Sequence, residues 1–125
     1  MNHYPRLAET AVINSIRHFP VTAITGPRQC GKSTLSKRLG LEGAGVTPSE
    51  FLYLDMERPS DLAKLDNAEW FLGLHSDKII CIDEIQRRPE LFPLIRSLVD
   101  EWDRPGCFLI LGSASRDLLK QSSNP

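Results

Sequence analysis

No run of this chain approaches the ~20 consecutive apolar residues of a membrane-spanning helix. The N-terminal Met1-Asn2-His3-Tyr4-Pro5 also lacks the basic-then-apolar order of a secretory signal. No membrane association is expected, and the expected setting is cytoplasmic. Cysteine is scarce: Cys30, Cys81 and Cys107 are odd in number, far apart and never in C-x-x-C spacing. That excludes a disulfide framework and a cysteine-based zinc site, and it leaves free thiols. An excess of either charge is missing too. The 15 Lys and Arg nearly cancel the 16 Asp and Glu, for a formal charge of −1, so no general attraction to nucleic acid or to an acidic membrane is expected. There is no internal repeat and no low-complexity tract, and 125 residues suit one domain.

What is present begins with Gly26-Pro27-Arg28-Gln29-Cys30-Gly31-Lys32-Ser33, followed by Thr34, which fits G-x-x-x-x-G-K-[ST]. Its context matches its pattern. Val21 to Thr25 is short, β-branched and apolar, as a buried parallel strand should be, and Ser33 to Leu39 begins a helical run. Gly26 and Gly31 let the chain fold into an arc of inward-pointing N–H groups, to which the helix adds the positive end of its dipole. The motif therefore predicts a phosphate-binding loop, with residues 26–34 around a polyphosphate. Lys32 is expected on the β- and γ-phosphates and Ser33 on the Mg²⁺ that bridges them. Cys30, beside Lys32 and before a helix N-terminus, is expected to be a reactive thiol when the site is empty.

Along the chain, Leu7, Ala11, Val12, Ile16 and Phe19 recur at helical spacing between Pro5 and Pro20, predicting a helix with one buried face. It covers the sheet or holds Tyr4-Pro5-Arg6 near a nucleotide base. A glycine-rich loop then leads to a second strand, Phe51 to Leu54, whose C-terminal end carries Asp55 and Glu57. Ligands bind at that edge of an open parallel sheet, so these acids approach the site or remain solvated loop residues. Pro59 opens a helix in which Asp61 complements the dipole, and Leu62, Leu65, Trp70, Phe71, Leu72 and Leu74 form its apolar surface. A third strand follows in Lys78-Ile79-Ile80-Cys81-Ile82 and ends on Asp83-Glu84. A helix from Glu90 to Trp102 tolerates Pro93 in its first turn, and Cys107 to Leu111 is a fourth strand running into Gly112-Ser113-Ala114-Ser115. Ser113 senses a γ-phosphate, caps a helix from Ala114 to Lys120, or does both.

An apolar strand ending in two carboxylates, downstream of a phosphate loop with one strand between, resembles a Walker B segment to the loop's Walker A. In that role Asp83 holds Mg²⁺ through water and Glu84 polarises the water that attacks the γ-phosphate. The alternation of helices and strands predicts an α/β fold, a three-layer α/β/α sandwich around a parallel sheet. The order of the blocks resembles the P-loop ATPases in which a further strand lies between the two motif strands, the division containing the AAA superfamily.

The resemblance goes further. The run from Ile24 to Leu35, Tyr53-Leu54-Asp55, the segment Asp83 to Pro89, and Leu111 to Ser115 together resemble the AAA-type ATPases predicted in bacteria and archaea. In that family an N-terminal ATPase domain precedes a C-terminal domain of unknown function. Cys30 stands where the family more often has a small aliphatic residue, a position that contributes its backbone N–H. The resemblance implies ATP and Mg²⁺ as ligands and places the catalytic roles on Lys32, Glu84 and Ser113. It also implies that residues 1–125 are the N-terminal portion of a longer ATPase, without the fifth strand, the arginine-bearing lid and the C-terminal domain. The expected activity is slow ATP hydrolysis coupled to a conformational change in an appended domain or protein partner, with self-association through the open sheet edge. Two other readings compete. A non-hydrolysing nucleotide switch is disfavoured by Glu84, and a P-loop small-molecule kinase would need more lid arginines than Arg87 and Arg88 supply.

Overall fold

The computed structural model of the chain describes residues 12–25, 35, 37 and 39–112. Four strands form one parallel sheet: β1 (Val21–Thr25), β2 (Phe51–Asp55), β3 (Ile79–Asp83) and β4 (Phe108–Gly112), in the spatial order β1-β4-β3-β2. Each is apolar because both faces of the sheet are covered. Phe108 pairs with Val21 on one side and Ile80 on the other, so β4 lies between the strand that precedes the glycine-rich loop and the strand that ends in Asp83. This is the inserted-strand order expected from the sequence. Among the described strands, β1 and β2 are the edges.

The two faces of the sheet have separate cores. On one, Leu54, Ile80, Ile82, Phe108 and Ile110 meet helices α1 (Pro59–Lys64), α2 (Ala68–Leu74) and α3 (Leu91–Trp102) through Leu72, Leu91, Phe92, Ile95 and Leu98. On the other, Phe51, Cys81 and Leu109 meet Val12 and Ile16 of the helical stretch 12–18, together with Leu35, Leu39 and Leu41. The strand period of two decides which residue goes where. Phe51, Tyr53 and Asp55 share the second face, with Ile79, Cys81 and Asp83 as their register partners. The result is the three-layer α/β/α sandwich expected.

Two expectations are corrected. The helix opened by Pro59 is two helices, because α1 stops at Lys64 and Asn67 caps a new start, its side chain accepting the Trp70 N–H at 3.4 Å. Leu65 and Leu72 are buried, whereas Trp70 faces outward, 62% exposed. Phe19 is 56% exposed rather than on the buried face, because the helical stretch ends at residue 18. There the carbonyl of Phe19 accepts the N–H of Gly106 at 2.9 Å. Gly106 has φ +71°, and a Cβ there would lie 3.2 Å from the Ile16 carbonyl oxygen, so this junction requires glycine. Asp61 stands in the first turn of α1 as expected, and it is buried as well. The predicted segments 1–11 and 113–125, including the helix from Ala114 to Lys120, lie outside the described residues.

Candidate functional site

The site forms at the C-terminal edge of the sheet, where an open α/β fold offers a crevice to ligands. Thr25 pairs with Gly112 and Leu111 pairs with Asp83, so three adjacent strands end together. β1 leads into Gly26 and β4 into Ser113, while β3 ends on Asp83 itself. Two inter-strand spacings separate the ends of β1 and β3, about 9–10 Å. Gly26, Pro27, Arg28, Gln29, Cys30, Gly31, Lys32, Ser33, Thr34 and Ser113 lie outside the described residues. Their flanks do not: a strand ends at Thr25, and Leu35 is helical and buried. A strand thus precedes the motif and a helical residue follows it.

Asp83 is only 3% exposed. The hydroxyl of Tyr53, reaching from β2 along the shared face, donates to its Oδ2, and the backbone N–H of Glu84 also bonds the carboxylate. Burial pushes the Asp83 carboxyl up to about 6; the Tyr53 hydrogen bond opposes the rise, while the Asp55 and Glu84 charges add to it. Burial, with the Asp83 hydrogen bond and charge behind it, also holds the Tyr53 hydroxyl far above its ordinary value, so it remains a donor.

Glu84 is also buried, at 7% exposure, and its backbone is left-handed, with φ 58° and ψ 46°. A residue with a Cβ adopts that conformation at a cost, and such strain clusters at functional sites. The turn places Glu84 after the strand, where Gln86 Nε2 donates to its Oε1 at 2.5 Å. Asp55, opposite Asp83 in the register, is buried as well, so it is no solvated loop acid. Its Oδ1 accepts the Glu57 N–H at 2.9 Å, and its own N–H donates to Asp61 Oδ2 at 2.9 Å. Glu57 is instead half-exposed and pairs with Arg87 at 3.4 Å.

The structure thus brings Asp83 and Glu84 together with Asp55 on one edge. The sequence reading assigned no part in the site to three residues that support it, Tyr53, Asp61 and Gln86. The period of two put Tyr53 on the face of Asp83, which was a usable signal, whereas nothing local reported the burial of Asp61. Among the described residues no group of three His, Cys, Asp or Glu side chains is arranged to hold a metal. The donors here are hard carboxylate oxygens, and they fit Mg²⁺, which usually takes one or two protein carboxylates and completes its shell with water and phosphate.

The sheet order and its flanking layers define a P-loop NTPase-like α/β fold. This chain belongs to the AAA domain family, whose model matches residues 18–125, and membership implies nucleotide binding of the ATPase kind. Two uncharacterized proteins, from Mycobacterium bovis and Mycobacterium tuberculosis, are each 42% identical over 119 residues. The match takes in 94% of this chain and 25% of each relative, so the chain spans about a quarter of their length. No solved structure matches the chain significantly. No helix among the described residues is long and apolar enough to cross a membrane.

Proposed function

We propose that this chain is the Mg²⁺-dependent ATP-binding and ATP-hydrolysing core of an AAA-type ATPase, coupled to an appended domain or a protein partner in the cytoplasm. The observation that carries the reading is the strand order. β4 alone separates β1, which runs into Gly26-Pro27-Arg28-Gln29-Cys30-Gly31-Lys32-Ser33, from β3, which delivers the buried Asp83 and Glu84. Backbone N–H groups of residues 26–34 bind the phosphates, Lys32 supplies positive charge to them, and Ser33 with Asp83 holds the metal. When bound, Mg²⁺ neutralises charge on the phosphate oxygens and orients them. Glu84 takes the proton of the attacking water, and Ser113 at the end of β4 positions that water or senses the γ-phosphate.

Calorimetry with ATP and Mg²⁺ tests the reading. The chain should bind, and Lys32→Ala should abolish binding without altering the fold as seen by circular dichroism. Undiminished affinity in Lys32→Ala would sink it. A non-hydrolysing nucleotide switch shares the binding site but not the chemistry, and single-turnover phosphate release separates the two.

A further inference from the structure

Tyr53 lies on β2, one strand removed from the proposed metal-holding carboxylate, and its register partner is Cys81 rather than Asp83. Because Tyr53, Asp55, Cys81 and Asp83 share a face, its ring runs along the sheet toward the C-terminal edge and its hydroxyl ends on Asp83 Oδ2. The ring packs against the core that contains Phe51 and Cys81. A phenylalanine would serve that packing equally well, so the hydroxyl is specific to the carboxylate. With the Glu84 N–H also bonded, the carboxylate is held from two directions. An ionised carboxylate has about four acceptor positions, so two such bonds leave capacity for a metal or a metal-bound water.

We propose that Tyr53 is a positioning residue of this site: its hydroxyl fixes the Asp83 carboxylate in the pose that presents its free lone pairs to a divalent cation, and so sets the Mg²⁺ affinity without touching nucleotide. The inference rests on the ATP–Mg²⁺ reading above and deepens it. Partners that orient a metal-binding side chain are commonly worth about 10–100-fold in metal affinity. On that reading the polyphosphate is held by backbone N–H groups and Lys32 rather than by the Asp83 carboxylate, so ATP binding without metal should not depend on the Tyr53 hydroxyl.

The test is the Mg²⁺ midpoint for ATP binding, from calorimetric titrations over a range of free Mg²⁺, with a parallel titration in EDTA. Tyr53→Phe should raise the midpoint about 10–100-fold and leave the affinity in EDTA unchanged. In an Asp83→Asn background the same change should shift the midpoint no further, since no carboxylate remains to be positioned. An unchanged midpoint in Tyr53→Phe, with Mg²⁺-dependent wild-type binding, overturns this inference alone. Equal weakening in EDTA and in Mg²⁺, or additive effects in the double variant, would show a merely structural hydroxyl and overturn it too. Wild-type binding that ignores Mg²⁺ overturns the metal reading and this inference together.

Discussion

Asp83 is expensive to bury. A carboxyl held at about 6 in the fold and near 3.9 in the unfolded chain binds its proton more tightly when folded. Folding stability therefore falls as pH rises through that window and is lowest once Asp83 is ionised. This is the reverse of the usual paired carboxylate. In the nucleotide-free protein, Asp83→Asn removes the charge while its amide oxygen can still accept from Tyr53. We expect it to be more stable than wild type by an amount of order 1–3 kcal/mol at pH 7–8, with the gain vanishing toward pH 4. Urea unfolding at a series of pH values checks this, and a constant difference across the series would contradict it. Glu84 carries a second cost, its left-handed backbone. Glu84→Gln keeps the backbone and the volume, so ATP–Mg²⁺ affinity should hold while phosphate release falls by about 10²-fold or more, the usual worth of a general base. Glu84→Gly should lose turnover likewise, while its stability balances relief of the φ 58° strain against loss of the Gln86 hydrogen bond. Paired activity and unfolding measurements separate the two effects.

The elements around the site are tied together by short polar links. Asp61, in the first turn of α1, bonds the Asp55 N–H with one oxygen and Lys64 with the other, at 2.9 and 3.1 Å. The Met56 N–H donates to the Asp83 carbonyl at 3.0 Å, so the turn after β2 is also pinned to the end of β3. Asp61→Ala leaves the N–H of the buried Asp55 without its acceptor and should cost about 1–3 kcal/mol, more than an exposed helix-end acid is worth. Denaturant unfolding gives the cost. A loss below about 0.5 kcal/mol, typical of a surface change, would show that the link is dispensable. The break between α1 and α2 belongs to this scale as well. Trp70 and Leu72, two residues apart in α2, point about 200° from each other at 3.6 residues per turn, and of the two Leu72 goes to the core.

For the molecule as a whole, the question is where positive charge for the transition state comes from. An arginine finger is worth about 10³–10⁵-fold where it acts. The two arginines beside the acidic strand are already engaged, Arg87 with Glu57 and Arg88 with Glu90, and the Arg88 hydrogen bond holds the Glu90 carboxyl below its ordinary value. β1 is an edge of the described sheet, which favours association with another chain. We therefore expect slow turnover from dilute protein, with specific activity that rises as protein concentration rises and a neighbouring copy supplies an arginine. Phosphate release at saturating ATP–Mg²⁺ over a hundredfold range of protein concentration measures it. A flat, fast specific activity would refute the expectation.

Local pattern determined most of the scaffold. Apolar runs ending in polar residues located β1, β2, β3 and β4 to within a residue, and the order of the blocks anticipated β4 between β1 and β3. The period of two likewise fixed which residues face which core, because a strand has no other way to place them. Tertiary structure decided the rest. Whether Asp55 and Asp61 face water depends on how α1 returns over the end of β2, and that contact is between elements rather than along the chain. Phe19 looked like a core residue by spacing, yet its fate turned on a carbonyl that meets Gly106 from the far side of the fold. The hydroxyl of Tyr53 meets Asp83 across 30 positions of sequence. Periodicity can predict a shared face, but a hydrogen bond also needs the strand register and the rotamers, and those exist only once both layers of helices have closed on the sheet.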